Sequence, residues 1–180
     1  ANPLARVADN VLSREFEAER PNQKWVADVT YIATASGWLY LAVVLDLFSR
    51  RVVGWAMAAT FDSRLVEQAL SMALTQRKPG PGLLHHSDRG CQYTSEAYQS
   101  FLKKHQFQIS MLRCGNCWDN AVMERFFGTL KRECTSRAHF KTHEEARTAI
   151  FEYIEAFYNR IRKHSTLGYL SPVHFELTNS

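Results

Sequence analysis

No apolar run in this chain approaches the roughly 18 residues that a membrane-crossing helix needs. The longest, residues 38–48 (WLYLAVVLDLF), is strand-sized and interrupted by Asp46, so a helical membrane span is excluded. The opening stretch, ANPLARVADNVLSREFEAERPNQ, lacks the apolar centre of a secretory leader. Cysteine is scarce, at four in 180 residues. Without a secretory context that number points to free thiols in a reducing, cytoplasmic compartment rather than to a disulfide framework. Internal repeats and low-complexity tracts are absent. Charged residues at 22% and aromatics at 12% leave no room for wholesale disorder, and 46% hydrophobic residues suffice for one core.

What the chain has is a modest excess of positive charge, +4 formally, placed unevenly. Arg125, Lys131, Arg132, Arg137 and Lys141 lie in or just after GNCWDNAVMERFFGTLKRE (115–133), and NRIRKH (159–164) forms a second cluster. A polyanionic partner would suit that placement.

Residues 1–20 are polar and weakly patterned, as in a linker or the remnant of something upstream. From there the β-branched and aromatic runs 25–33, 38–46 and 51–59, joined by very short turns, predict an antiparallel three-stranded meander. Leu65, Val66, Ala69, Leu70, Ala73 and Leu74 recur at helical spacing behind a cap at Asp62 or Ser63. A short strand at 83–88, a helix opening near Thr94 or Ser95, and another strand at 107–111 predict parallel pairing through a crossover. The expected fold is α/β, a mixed five-stranded sheet flanked by helices. Residues 21–136 would form a catalytic core, and residues 137–180 a C-terminal helical extension with 142–164 as one amphipathic helix.

In a helix starting near Trp118, Met123, Phe126, Phe127, Leu130 and Cys134 gather on one side, while Asn120, Glu124, Gly128, Lys131 and Thr135 gather on the other. Asp119 and Glu133 point away from Glu124. Two further acids stand out. Asp28 sits mid-strand in WVADVTYI, where an unpaired charge is costly. Asp88 ends a strand predicted to be parallel, the place where open α/β sheets hold ligands. Asp46, at a strand end, is accounted for by the turn. Were Asp28, Asp88 and Glu124 to converge, their mutual repulsion would call for Mg²⁺ or Mn²⁺, hard cations that take carboxylate oxygens and substrate phosphates. Two such ions suit in-line displacement at phosphorus.

Between Asp28 and Asp88 lie 59 residues, and between Asp88 and Glu124 lie 35, with Lys131 seven beyond. This pattern resembles the Asp, Asp, thirty-five, Glu signature of the retroviral-integrase-like superfamily. The phrases PNQKWVADVTYI, GWLYLAVVLDLFSRRVVGWAM, LLHHSDRGCQYTS, GNCWDNAVMERFFGTLKRE and YNRIRKHSTLGYLSP, in order along the chain, are similar to the catalytic proteins of bacterial insertion sequences of the IS-three family. The resemblance implies a ribonuclease-H-like fold. It also implies Asp28, Asp88 and Glu124 as catalytic metal ligands, with Asp28 bridging two Mg²⁺ or Mn²⁺ ions when DNA is bound. The chemistry would be hydrolytic nicking at element ends, then strand transfer by the freed 3′-hydroxyl. Lys131, Arg132, Asn120 and Arg125 would contact DNA, both transposon ends and target. A homodimer or higher oligomer and a helix-turn-helix segment upstream or on a companion product are expected partners, acting in the bacterial cytoplasm. Cys91 and Arg125 stand where the family's pattern has serine.

Rival readings are a non-catalytic DNA-binding or assembly module, and a plain metal-dependent nuclease of the same fold. Cys114 and Cys117 with His139 and His143 imitate a zinc site, but their spacing spans a patterned helix. The serine, histidine and aspartate in HHSD cannot form a triad, since neighbours on a strand alternate faces. His85 and His86 are expected to pack or hydrogen-bond.

Overall fold

Alternating apolar residues and short turns produce the meander. Lys24–Thr34 (β1), Gly37–Asp46 (β2) and Val52–Ala58 (β3) pair antiparallel, with Asp28 opposite Val43. These elements come from a computed structural model that describes residues 9–10, 12, 15, 17–112 and 120–180. Helix α1 (Ser63–Arg77) starts where Asp62 accepts from the Arg64 amide and stops at Lys78, whose left-handed backbone (φ 46°) closes the last turn. Strand β4 (Leu84–Ser87), the short turn α2 (Cys91–Thr94), α3 (Glu96–Lys104) and β5 (Gln108–Met111) complete a crossover. Both strands add in parallel, giving the order β3-β2-β1-β4-β5.

The two faces of the sheet are covered by different helices. Strand alternation sends Trp25, Ala27, Ala42 and Val44 toward α1 and α3, where Leu65, Ala69, Leu70, Tyr98 and Leu102 complete one core. Val26, Leu39, Leu41, Val43 and Leu45 face the other way, toward Met123, Phe126, Phe127 and Leu130 of α4 (Ala121–Leu130). That second core also takes Ala146 and Ile150 of α5 (His143–Phe151), followed by Tyr153, Ile154 and Tyr158. The C-terminal segment is therefore built onto the sheet.

The expected single helix over 142–164 is shorter and different in kind. It passes into a π-helical stretch, Glu152–Tyr158, and ends where the Asn159 side chain takes over strand-like pairing with Val52. The Val52 amide donates to Asn159 Oδ1 (2.9 Å), and Asn159 Nδ2 donates to the Val52 carbonyl (2.9 Å). Helix α4 likewise continues as a π-helical turn, Lys131–Thr135. Glu133 in the first of these turns accepts from the Tyr153 hydroxyl in the second and from Arg162 beyond it, clamping the two together. A final helix, α6 (Pro172–Asn179), is capped by Ser171. Its signal, Ser followed by Pro at the first helical position, is present in the sequence but lies outside the periodic runs.

Candidate active site

Strand β1 carries Asp28 on the α4-facing side of the sheet, between the buried Val26 and the buried Thr30. The carboxylate accepts from the Val29 amide (2.8 Å) and from Asn120 Nδ2 at the start of α4 (3.1 Å). Burial pushes its carboxyl up to about 7. The Val29 hydrogen bond opposes that rise, and the negative charges of Asp88 and Glu124 add to it. The three acids, 59 and 35 residues apart in sequence, thus share one electrostatic neighbourhood.

Asp88 stands one residue beyond β4, at the carboxyl end of a parallel strand. Its Oδ1 accepts from the Gly90 amide at 2.8 Å. A Cβ on Gly90 would lie 2.7 Å from Gln92 Nε2 and 2.8 Å from Asp88 Oδ1, so a larger residue there would displace these two side-chain ends. Glu124 is exposed on α4, opposite the buried Met123, Phe126 and Phe127. Lys131 is exposed as well, and its ammonium lies 5.7 Å from the centre of the Tyr31 ring. Gly128 relieves no internal crowding: the nearest atom to an added Cβ would be Arg132 Nη1, at 3.4 Å.

One cavity opens at β1 and another at α4. The first, of about 540 Å³, runs along the β1 edge, with Asp28, Asp88 and Gln92 at its floor and Tyr31, Trp38 and Phe61 beside them. The other, of about 580 Å³, opens between α4 and the segment after Tyr158. Arg50, Arg125, Arg132 and Arg162 line it, and no carboxylate does. Burial lowers the Arg50 pKa, and the Arg125 charge lowers it further, as expected for cations gathered at one spot. Arg125 and Arg132 were expected near DNA from the resemblance. Arg50 and the aromatic residues were missed, because nothing local marks a residue that a distant element will meet.

Asn120, expected at DNA, is 4% exposed and bonded to Asp28, while its own Oδ1 is buried without a hydrogen-bond partner among the described residues. His85 and His86 are wholly buried. His85 Nε2 pairs with the Tyr98 hydroxyl (2.8 Å), and His86 Nδ1 with Ser110 Oγ (2.9 Å). Burial drives His85 down to about 3, with the neighbouring His86 contributing, so it stays a neutral packing residue. Cys91 and Cys134 are free thiols. Cys114, Cys117, Trp118 and Asp119 lie outside the described residues.

The donor set suits a hard divalent cation: carboxylate oxygens from Asp28 and Asp88, Glu124 in reach of their field, and Asn120 Oδ1, which has no partner among the described residues. Among the described residues, however, no group of three or more His, Cys, Asp or Glu side chains stands close enough to hold a metal ion by itself. No described helix is long and apolar enough to cross a membrane.

The chain matches the integrase core domain family twice, over residues 18–117 and over residues 105–172. It is 49% identical over 173 residues to the transposase InsF of insertion sequence IS3A from Escherichia coli K12, covering 96% of this chain and 60% of that protein. It is also 49% identical, over 171 residues, to the transposase of insertion sequence element IS904 from Lactococcus lactis, covering 95% of this chain and 68% of that one. The chain therefore spans about three fifths of the length of the InsF relative. Among solved structures it resembles a chain of the simian T-cell lymphotropic virus intasome in complex with PP2A regulatory subunit B56 gamma. There the TM-score is 0.73 at 16% identity, over 97% of this chain and 60% of that one. The HTLV-2 integrase catalytic core domain in complex with magnesium matches with a TM-score of 0.65 at 18% identity, over 87% of this chain and 97% of that one. The fold is thus that of retroviral integrase cores, ribonuclease-H-like.

Proposed function

The chain belongs to the integrase core domain family, and from that premise we propose that it is the catalytic core of an insertion-sequence transposase, cleaving and rejoining DNA at element ends. The observation that carries this reading is a half-buried Asp28 carboxylate, held by Asn120 and lining one cavity with Asp88; burial raises its pKa, and the charges of Asp88 and Glu124 add to the rise. Asp28 on β1, Asp88 just past the parallel strand β4 and Glu124 on α4, with Lys131, Arg125 and Arg132 as cations, suit a site that holds phosphodiesters.

In this proposal Asp28, Asp88 and Glu124 would hold two Mg²⁺ or Mn²⁺ ions. Magnesium accompanies the HTLV-2 core, which supports the choice of metal. When bound, the ions would supply a nucleophile activated at neutral pH and charge stabilisation on the leaving oxygen. The chain's own groups do the positioning. Asn120 holds the Asp28 carboxylate in place through its amide. The Gly90 amide fixes Asp88. Lys131, Arg125 and Arg132 neutralise phosphates on either side of α4. A second copy of the chain and a helix-turn-helix segment, upstream or on a companion product, would supply end recognition.

The test is nicking of a duplex bearing an insertion-sequence end. Glu124→Gln, Asp88→Asn or Asp28→Asn is expected to abolish metal-dependent cleavage, whereas Glu133→Gln on the same helix leaves it. Cleavage surviving any of the three overturns the assignment. Joined products, rather than nicks alone, separate a transferase from a plain nuclease.

A further inference from the structure

Strand β4 pairs with β1 only at Lys24, Trp25 and Val26, although β1 runs on to Thr34. Past that point, Asp28 to Tyr31 line the floor of the 540 Å³ cavity. Three large rings stand over it: Tyr31 is 58% exposed, Trp38 53% and Phe61 47%. None of them belongs to either core. Phe61 stacks on Tyr40 at 14° and 5.4 Å, so one of its faces is covered and the exposed half is the other. Tyr31 and Trp38 meet edge-on at 79°. The Lys131 ammonium sits over Tyr31, leaving Trp38 and the outer face of Phe61 as an open platform.

We propose that Trp38 and Phe61 form a stacking platform for an unpaired nucleobase adjoining the phosphate held at Asp28 and Asp88. This rests on the reading of the acids as a phosphodiester site. A strand whose phosphate lies at the floor of this cavity must place a neighbouring sugar and base within one nucleotide of it, and the rings occupy that space. Bases are planar and uncharged, and every one presents a π-face, so aromatic platforms hold them without sequence preference. A base inside a duplex has both faces covered by its neighbours. The platform therefore engages DNA only where the helix is frayed or a nucleotide is turned out. The Gln92 amide and the Thr30 hydroxyl, both in the cavity lining, are the groups that would meet a base edge. Lys131 would hold the strand's charge beside it. An apolar peptide would gain nothing from the carboxylates on the floor, whereas a nucleotide bridges the two chemistries.

The experiment compares two dye-labelled duplexes in Ca²⁺ by fluorescence anisotropy, one with a single-stranded tail of thymidines, the other with the same tail made abasic. The 180-residue chain is expected to bind the thymidine tail about tenfold more tightly. Trp38→Ala and Phe61→Ala each erase most of that preference. Trp38→Phe, which keeps a ring, retains it and shows that the alanine variant fails for want of a ring. Arg125→Ala weakens both tails alike. Equal binding of the two tails by the unaltered chain overturns the proposal. So does a base preference that survives both alanine variants. If Trp38→Ala instead lowers the sedimenting mass and leaves the preference intact, the patch is an interface between copies and the proposal fails. Failures of the two readings are separable. Metal-dependent nicking without base preference sinks only the platform, while base preference without nicking supports the platform and counts only against the transferase.

Discussion

A carboxylate in the middle of a strand has few ways to exist at neutral pH, and Asp28 uses none of the common ones. Among the described residues no cation pairs with it; one backbone amide and one side-chain amide do the work, and burial still wins. Such a residue destabilises the fold unless something else neutralises it, which is the physical sense in which it belongs to a site. The cations nearby divide by how they are held. Arg162 is locked to Glu133 at 2.8 Å and holds the two π-helical turns together. Lys131 is exposed and, among the described residues, meets only the Tyr31 ring face, so it is available to a phosphate. Lys131→Ala is therefore expected to flatten the dependence of log DNA affinity on log salt by about 0.9, the contribution of one neutralised phosphate. Anisotropy titrations between low and moderate salt measure it, and an unchanged slope removes Lys131 from the DNA contact set.

Among the elements, β3 and α1 set the tightest constraint. Gly54 faces the helix, and a Cβ there would stand 2.2 Å from the Ala69 carbonyl and 2.8 Å from the Ala73 Cβ. Both obstacles are backbone or β-carbon and cannot swing aside. Gly54→Ala is expected to cost about 3 kcal/mol, seen as a lower urea midpoint at constant slope. An unaltered midpoint would mean that strand and helix are free to separate. The cost would fall on the face opposite the acids, so DNA contacts at Lys131 and Arg125 should persist wherever the variant is folded.

Across the whole molecule, a buried charge network ties the last helix to the first strands. Asp46 is wholly buried, and it is more than a turn former: it accepts from the amides of Asn22 and Phe48, the Trp25 indole and Arg77. Arg77 also reaches Glu176 of α6 at 2.8 Å, and Ser49 and Arg51 complete the Glu176 shell. Burial alone would raise the Glu176 carboxyl. Hydrogen bonds from Arg77 and Ser49, with the Arg77 charge, hold it net below the ordinary glutamate value. A carboxyl lowered in the folded state stabilises above its unfolded pKa, near 4.5, and that contribution is lost as pH falls through the folded value. Melting temperature is accordingly expected to drop as pH falls below 4.5. Glu176→Gln should flatten that acid limb and cost about 3 kcal/mol at pH 7, by leaving Arg77 short of charge. A variant whose acid limb matches the unaltered chain would show that Glu176 is not the group responsible.

Periodicity and spacing alone determined the five strands, α1 with a cap at Asp62 or Ser63, and the sides of α4, because a strand or helix writes its buried face into its own neighbours at two- or 3.6-residue intervals. The acids were legible too, Asp28 as a charge where none should be and Asp88 as the end of a strand predicted to be parallel. Only the tertiary structure decided what depends on elements far apart in the chain. Arg50 and Arg125 share a cavity across 75 positions. Asn159 takes the place of a strand partner for Val52, and Glu176 docks α6 on Arg77. Trp38 and Phe61 line one cavity with Asp28. No local pattern encodes these meetings, because they follow from how two faces of one sheet are covered, and a side chain's neighbours across that packing leave no periodic trace in its own stretch of sequence.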